Sequence, residues 1–100
     1  MVVAVGEFGR SPQINRNDGR DHHSSCWSGL LAGGKIRGGL TVGRTDDIAF
    51  EPAERPVSLP EFAATVYHGL NVPRELMIDG PNVQRQRLID DAVEPVYELF

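Results

Sequence analysis

The chain has little of several residue types, and each scarcity excludes a class of protein. Cys26 is the single cysteine among 100 residues, which excludes an intramolecular disulfide framework and a thiolate metal cluster. No apolar run approaches the length of a membrane span, so we expect no membrane-spanning segment. The N-terminus lacks a charged start followed by a long apolar region, so no signal peptide is predicted either.

Positive charge is also scarce. Ten basic residues face 14 acidic ones, which gives a formal net charge of −4. Because nucleic acids and anionic membranes attract basic faces, neither is expected as the main partner. Lys35 is the one lysine beside nine arginines. Arginine suits bidentate recognition of phosphate, sulfate or carboxylate, although genome base composition is the simpler explanation of this bias.

Two short apolar runs predict strands. Residues 1–5, MVVAV, form a β-branched run that is typical of a central strand buried on both faces. A second buried strand is predicted around residues 28–32, ending at the glycine pair 33–34. Residues 7–25 lie between these runs and show no periodicity, and they contain the turn signal Asn17-Asp18-Gly19. We therefore expect a long loop there, and loops of that length are usually functional or disordered.

One helix is predicted over about residues 58–70. Ser58 and Glu61 have the spacing of a capping box at its start. Phe62, Val66 and Leu70 then recur at helical spacing and predict the buried stripe. With the strands, this helix predicts an α/β fold.

The segment from Gly29 to Lys35, GLLAGGK, imitates the first seven positions of a phosphate-binding loop. The eighth position must be Ser or Thr to hold magnesium, and here it is Ile36. A strand that ends in a glycine turn is the better interpretation.

The long loop holds the residues with the most chemistry. Glu7 directly follows the first predicted strand, where α/β proteins place their sites, and Asp21, His22 and His23 follow one another. Carboxylates and imidazoles suit divalent ions such as zinc, manganese or magnesium. In an extended chain successive side chains point to opposite sides, so one metal would take one or two of the three consecutive residues. A solvated acidic loop is the alternative.

Arg10 and Arg20 flank the same loop. Two interpretations stay open: they clamp an anionic substrate, or they pair with Glu7 and Asp21. Cys26 lies close to the His pair but is expected to be a small buried residue rather than a nucleophile. His68, inside the predicted helix, is expected to be structural.

Three stretches together carry a family resemblance: GEFGRSPQINRNDGRDHH, LLAGGKIRGGLTVGRTD and ERPVSLPEFAATVYHGLNV. The chain resembles the C-terminal part of the bacterial domain-of-unknown-function family 1501, whose members are abundant in planctomycetes. The resemblance runs from Val2 to the final ELF and weakens over 74–87. Full-length relatives often carry a twin-arginine export signal, which implies an exported or periplasmic protein.

That family is similar in turn to the alkaline phosphatase and sulfatase superfamily. The resemblance implies that Glu7 corresponds to a metal-motif carboxylate and His22 to a later metal-binding His, with Asp21 beside it. Phe8 stands where the superfamily has a His and cannot ligate, so the resemblance leaves three alternatives: a single-metal site, an altered site, or none. The nucleophile of the superfamily corresponds to no residue of this chain.

The predicted fold is therefore an α/β, incomplete alkaline-phosphatase-like sheet, with residues 1–100 as one C-terminal fragment of a larger domain. The first functional hypothesis is part of a metal-dependent phosphoester or sulfoester hydrolase that is inactive alone. It implies a divalent cofactor (zinc, manganese, magnesium or calcium), metal ligands Glu7, Asp21 and His22, and substrate-binding Arg10 and Arg20. The alternatives are a non-catalytic exported protein that binds an anionic small molecule or glycan, and a truncated remnant.

Overall fold

A computed structural model of the chain describes residues 1–81 and 84–100. It confirms a small α/β fold, with one α-helix and short antiparallel strand pairs in the described residues. The helix is α1, Leu59–Gly69. The strand pairs are β1 (Val2–Val5) with β4 (Gly29–Ala32), β2 (Gly9–Arg10) with β3 (His22–His23), β5 (Arg44–Thr45) with β6 (Pro52–Glu54), and β7 (Met77–Asp79) with β8 (Arg85–Arg87).

Strands β1 and β4 form a two-stranded ribbon, with Val2 opposite Ala32 and Val5 opposite Gly29. Both apolar runs are thus strands, as predicted, but the prediction that they are buried is wrong. The residues of β1 are all exposed, with Val2 at 61%. Leu30 of β4 is 55% exposed. The physical reason is that strand side chains point to the faces of a sheet, and in the described residues this two-stranded ribbon has no second layer covering both of its faces.

The segment from Gly29 to Lys35, which resembles part of a phosphate-binding loop, forms strand β4 and a turn, as the sequence analysis favoured. Gly33 and Gly34 follow β4 with φ of 74° and 66°, a conformation that side chains rarely adopt. Lys35 then donates from Nζ to the Asn71 side chain at 2.7 Å, beyond the end of α1. This lysine therefore ties the ribbon to the helix.

The predicted long loop between β1 and β4 is mostly irregular, but it is closed by the β2–β3 pair. Gly9 lies opposite His23 and Arg10 opposite His22. Gly9 is buried, and a side chain there would collide with the backbone carbonyl of Cys26. Glycine at this position thus permits the close approach that closes the hairpin.

Helix α1 begins where its capping residues predict. The Ser58 hydroxyl accepts from the Glu61 backbone N–H at 3.3 Å, and the Glu61 carboxylate accepts from the Ser58 N–H at 2.8 Å. These bonds satisfy helix N–H groups that would otherwise lack partners. Asn71, with φ of 57°, follows the last turn. The predicted helix over 58–70 is confirmed.

The prediction that Phe62, Val66 and Leu70 form the buried face of the helix is wrong, because the fully buried face lies beside these positions. Ala64, Thr65 and Gly69 are the buried residues of α1, whereas Leu70 is 53% exposed. The helix lies against the C-terminal segment, where Val96 is buried. Small side chains on this face permit the close approach, and for that reason they replace the large apolar stripe.

The capping box makes stability dependent on pH. Donation from the Ser58 backbone N–H lowers the pKa of Glu61 below its usual range, and Arg55 acts in the same direction. The stabilising contribution is therefore fully present above about pH 4.3 and is lost as pH falls through the lowered folded pKa.

We expect Glu61→Gln to flatten the acid limb of stability, measured as thermal melts between about pH 6 and pH 3. Glu75→Gln is the matched control, because Glu75 is exposed and lies outside the capping box. Equal acid slopes in wild type and Glu61→Gln would contradict the assignment.

Candidate functional site

The candidate site is the hairpin of residues 7–23, which contains every residue that the sequence analysis selected. Glu7 lies exposed in the bend directly after β1. Strands β2 and β3 then place Arg10 directly across from His22. The hairpin therefore brings one predicted substrate-binding residue and one predicted metal ligand together from positions 12 residues apart.

Asp21 lies at the entrance to β3 and is held by several hydrogen bonds. The Asn15 side-chain amide donates to its carboxylate at 2.8 Å. The Ser11 N–H donates to the Asp21 carbonyl at 2.9 Å, and the Ser11 hydroxyl accepts from the Asp21 N–H at 3.0 Å. The position of this carboxylate is fixed by the hairpin, with one oxygen engaged by Asn15.

Asn15 organises the tip of the same hairpin. Its side-chain oxygen accepts from the backbone N–H groups of Asn17 at 2.9 Å and Gly19 at 3.1 Å. Asp18 between them has φ of 56°, which fits the predicted Asn-Asp-Gly turn. Asn15 was not selected from the sequence, although its place two residues before that turn signal is typical of a turn-stabilising asparagine.

The two consecutive histidines face different surroundings, as expected for an extended chain. His23 Nε2 lies 2.6 Å from the Phe50 carbonyl oxygen, and the two rings pack at 4.6 Å. His22 is exposed, and its ring packs on Phe8 with centroids 3.9 Å apart and planes tilted by 32°. Among the described residues no hydrogen bond to the His22 ring is found, and the contact with Phe8 is its ring contact.

The two arginines have different environments. Arg20 Nη1 donates to the Ser11 carbonyl at 2.8 Å and also to the Pro12 carbonyl, so this guanidinium braces the hairpin. Arg10 is exposed, with Cζ 5.4 Å from the Phe8 ring centroid and Nη1 3.3 Å from the Arg20 carbonyl. Within residues 1–81 and 84–100, neither arginine forms an ion pair with Glu7 or Asp21, so the structure contradicts the ion-pair alternative.

Cys26 is half-buried beside the hairpin. Burial raises the pKa of its thiol, and the carboxylates of Glu51 and Asp46 raise it further. A raised pKa disfavours the thiolate, which is the nucleophilic form. His68 packs edge-on against Phe100 at 4.6 Å, a packing role that agrees with the structural assignment.

Within residues 1–81 and 84–100, no group of three or more His, Cys, Asp or Glu side chains is arranged to hold a metal ion. No helix in the same part of the chain is long and apolar enough to cross a membrane.

The fold and the hairpin define a small α/β protein that presents carboxylate, imidazole and guanidinium groups on one turn-closed hairpin. The chain belongs to the family described as "Protein of unknown function (DUF1501)", whose model matches residues 1–100. No curated protein and no solved structure matches the chain.

Proposed function

We propose that this chain forms the later, C-terminal part of a metal-dependent phosphoester or sulfoester hydrolase-like protein. The observation that carries the proposal is the register of the β2–β3 hairpin, which places Arg10 across from His22 and three residues after Glu7. An exposed imidazole and an exposed guanidinium side by side suit a site for a metal-bound oxyanion.

Glu7 and His22 would hold the metal, and Asp21 would contribute through the carboxylate oxygen that Asn15 does not engage. Carboxylate oxygens and an imidazole nitrogen are donor types that zinc, manganese, magnesium or calcium accept. Within the described residues they do not form a group of three that could hold the ion, so the proposal needs further ligands from elsewhere in the protein. When bound, such an ion supplies Lewis-acid polarisation of the ester and a more acidic nucleophile. Arg10 would bind the anionic group, and Arg20 would support it through the carbonyl that accepts from Arg10.

The proposal also requires that the remaining ligands and the nucleophile lie in a larger domain, of which residues 1–100 are one part. The amount of exposed surface supports this. The chain exposes 7313 Å², whereas a compact monomer of 11.0 kDa exposes about 5,600 Å². Its radius of gyration is 16.3 Å against about 13 Å for a compact domain of this length. An excess of about 1,700 Å² is the area that a permanent interface covers on one side.

The test is His22→Ala in the protein as its own cells make it. We expect the variant to lose bound metal and to hydrolyse p-nitrophenyl phosphate or sulfate at least about 100-fold more slowly. The measurements are metal content by mass spectrometry and initial rates. His68→Gln is the matched control, because His68 lies on α1 and packs against aromatic rings. Unchanged metal content and rate in His22→Ala would refute the ligand assignment.

The second candidate is a non-catalytic exported protein that binds an anionic small molecule or glycan. The engagement of Asp21 by Asn15 favours it, because a carboxylate held within the hairpin is a weaker metal ligand. Metal content separates the two candidates: a protein that binds sulfated or phosphorylated glycan after complete metal removal supports the second one.

A further inference from the structure

We infer that the β5–β6 hairpin (44–54) is a lid beside a cavity, and that the Arg55 guanidinium latches this lid hairpin in its closed position. The cavity has a volume of about 610 Å³ and lies between the lid hairpin, strand β4 and the N-terminal half of α1. Pro52 of the lid hairpin, Leu30 of β4 and Phe62 of α1 are among the residues that line it. The lid does not depend on the proposed hydrolase function.

The lid hairpin has a residue with positive φ at each end. Gly43 precedes it with φ of 85°, and Arg55 follows it with φ of 43°. The two residues lie close together, because a Cβ atom on Gly43 would be 3.1 Å from the Arg55 carbonyl oxygen. Between them, the strand pairing and the Arg44–Glu54 ion pair join β5 to β6. A rotation at these two ends would therefore move the lid hairpin as one body.

Arg55 has a backbone conformation that its sequence context disfavours. Glycine adopts positive φ readily, but a residue with a side chain is strained there. Residue 56 is proline, which pushes the residue before it toward an extended conformation. Arg55 would therefore relax to an extended conformation if no other contact held it. Since Arg55 lies at the base of the lid hairpin, that relaxation would move the lid relative to α1.

Two carboxylates hold Arg55 in place. Its Nε and one Nη donate to the two Glu98 oxygens at 2.7 and 3.4 Å, and the other Nη donates to Glu61 at 3.1 Å. Glu98 belongs to the C-terminal segment and Glu61 to the first turn of α1, so both anchors lie outside the lid hairpin. The Arg55 and Glu98 side chains are 39% and 50% exposed. Exposed ion pairs stabilise by an amount similar to the cost of one strained residue, so the closed and open positions are close in free energy.

Phe50, near the tip of the lid hairpin, reports whether the lid is closed. Its ring packs on the His23 ring with centroids 4.6 Å apart, and its carbonyl oxygen lies 2.6 Å from His23 Nε2. His23 belongs to β3 and does not move with the lid. The ring-current shift that Phe50 causes on the His23 ring protons thus measures the closed fraction by NMR.

The experiment compares Glu98→Gln, Arg55→Ala and Arg55→Gly in the protein as its own cells make it. We expect Glu98→Gln to lower the ratio of closed to open lid about two- to fivefold, because it removes one ion pair. Arg55→Ala should lower the ratio further, since it removes both pairs and keeps the strain. Arg55→Gly also removes both pairs but relieves the strain, so its ratio should exceed that of Arg55→Ala about fivefold or more.

Salt gives an independent test of the latch. Raising NaCl from about 0.05 M to about 1 M shortens the Debye length from more than 10 Å to about 3 Å and screens exposed ion pairs. We expect the His23 shift of wild type to move toward that of Glu98→Gln. The shift should stay constant in Arg55→Ala and Arg55→Gly, which lack the guanidinium.

Glu94→Gln is the matched control, because Glu94 lies on the same C-terminal segment and pairs with Arg74 at 2.6 Å rather than with Arg55. Loss of the His23 shift in Glu94→Gln equal to that in Glu98→Gln would overturn the latch, since the effect would then belong to general loosening of that segment. Equal loss in Arg55→Ala and Arg55→Gly would overturn the strained hinge.

The indole N–H resonance of Trp27 tests whether the movement reaches the cavity. Trp27 lines the cavity together with Thr45 and Pro52 of the lid hairpin. We expect this resonance to shift in the same variants that change His23. A constant Trp27 resonance, or a His23 shift that no variant changes, would overturn the lid. Glu98→Gln alone decides between these outcomes if the Arg55 variants fail to fold.

Discussion

Replacing Thr65 with valine is expected to lower the free energy of unfolding by about 2 kcal/mol, although the two side chains have the same shape. Thr65 is fully buried, at 0% exposure. Its hydroxyl donates to the Glu61 carbonyl at 2.6 Å and accepts from the Val96 backbone N–H at 2.9 Å. Valine removes the acceptor and leaves a buried N–H without a partner, which costs about 1–3 kcal/mol.

Denaturant unfolding of the two proteins measures this difference. Thr41→Val is the matched control, because Thr41 is exposed and the same substitution there should change stability by less than about 0.5 kcal/mol. Equal losses at both positions would show that the Thr65 hydroxyl does not link the helix to the C-terminal segment. The link matters because Val96, Ala64 and Ile89 are the buried apolar residues of the described chain.

The second large effect is expected for Val2→Lys in the native protein. Val2 and Ile48 have similar exposure in this chain, 61% and 67%. If the 100 residues stood alone, a lysine at either position would change stability by less than about 0.5 kcal/mol. If the proposed larger domain covers the β1–β4 ribbon, Val2→Lys would bury an unpaired charge and destabilise by about 3–5 kcal/mol.

The comparison of Val2→Lys with Ile48→Lys by thermal melting therefore tests the larger domain directly. The intact mass of the same wild-type preparation is a second measurement, and we expect it to lie far above 11.0 kDa. Equal melting temperatures for the two variants, with a wild-type mass of 11.0 kDa, would refute the proposal of a larger domain.

The residues of strand β1 also favour a partner that covers the ribbon. Val2, Val3 and Val5 carry no charge and no proline, which are the usual protections of an exposed strand edge. Apolar side chains on both faces are typical of strands that are covered on both sides. The pattern and the observed exposure therefore disagree within these 100 residues, and a partner that covers the ribbon would remove the disagreement.

Part of the candidate site could be predicted from sequence. The position of Glu7 after an apolar strand and the turn signal Asn17-Asp18-Gly19 are local features, and both are found in the structure. The β2–β3 register was not predictable, because two-residue strands leave no periodic pattern. For the same reason the contact of Phe8 with His22 and the bracing role of Arg20 could not be derived from spacing.

The sequence by itself determined the helix and the two ribbon strands. Ser58 and Glu61 define the helix start through bonds between residues three apart, and the continuous β-branched run of β1 indicates a strand without reference to a partner. Such features depend on neighbours along the chain, so the sequence contains all the information needed.

Only the tertiary structure decided which faces are covered and which side chains meet. The burial of Thr65 rather than Leu70 depends on the C-terminal segment, which packs against the helix. Val96 of that segment bonds to Thr65 from 31 residues away along the chain. The different surroundings of His22 and His23 depend on Phe8, which contacts the first, and Phe50, which contacts the second. These two phenylalanines lie on different loops. Packing between distant segments sets both outcomes, and no periodicity of the sequence records it.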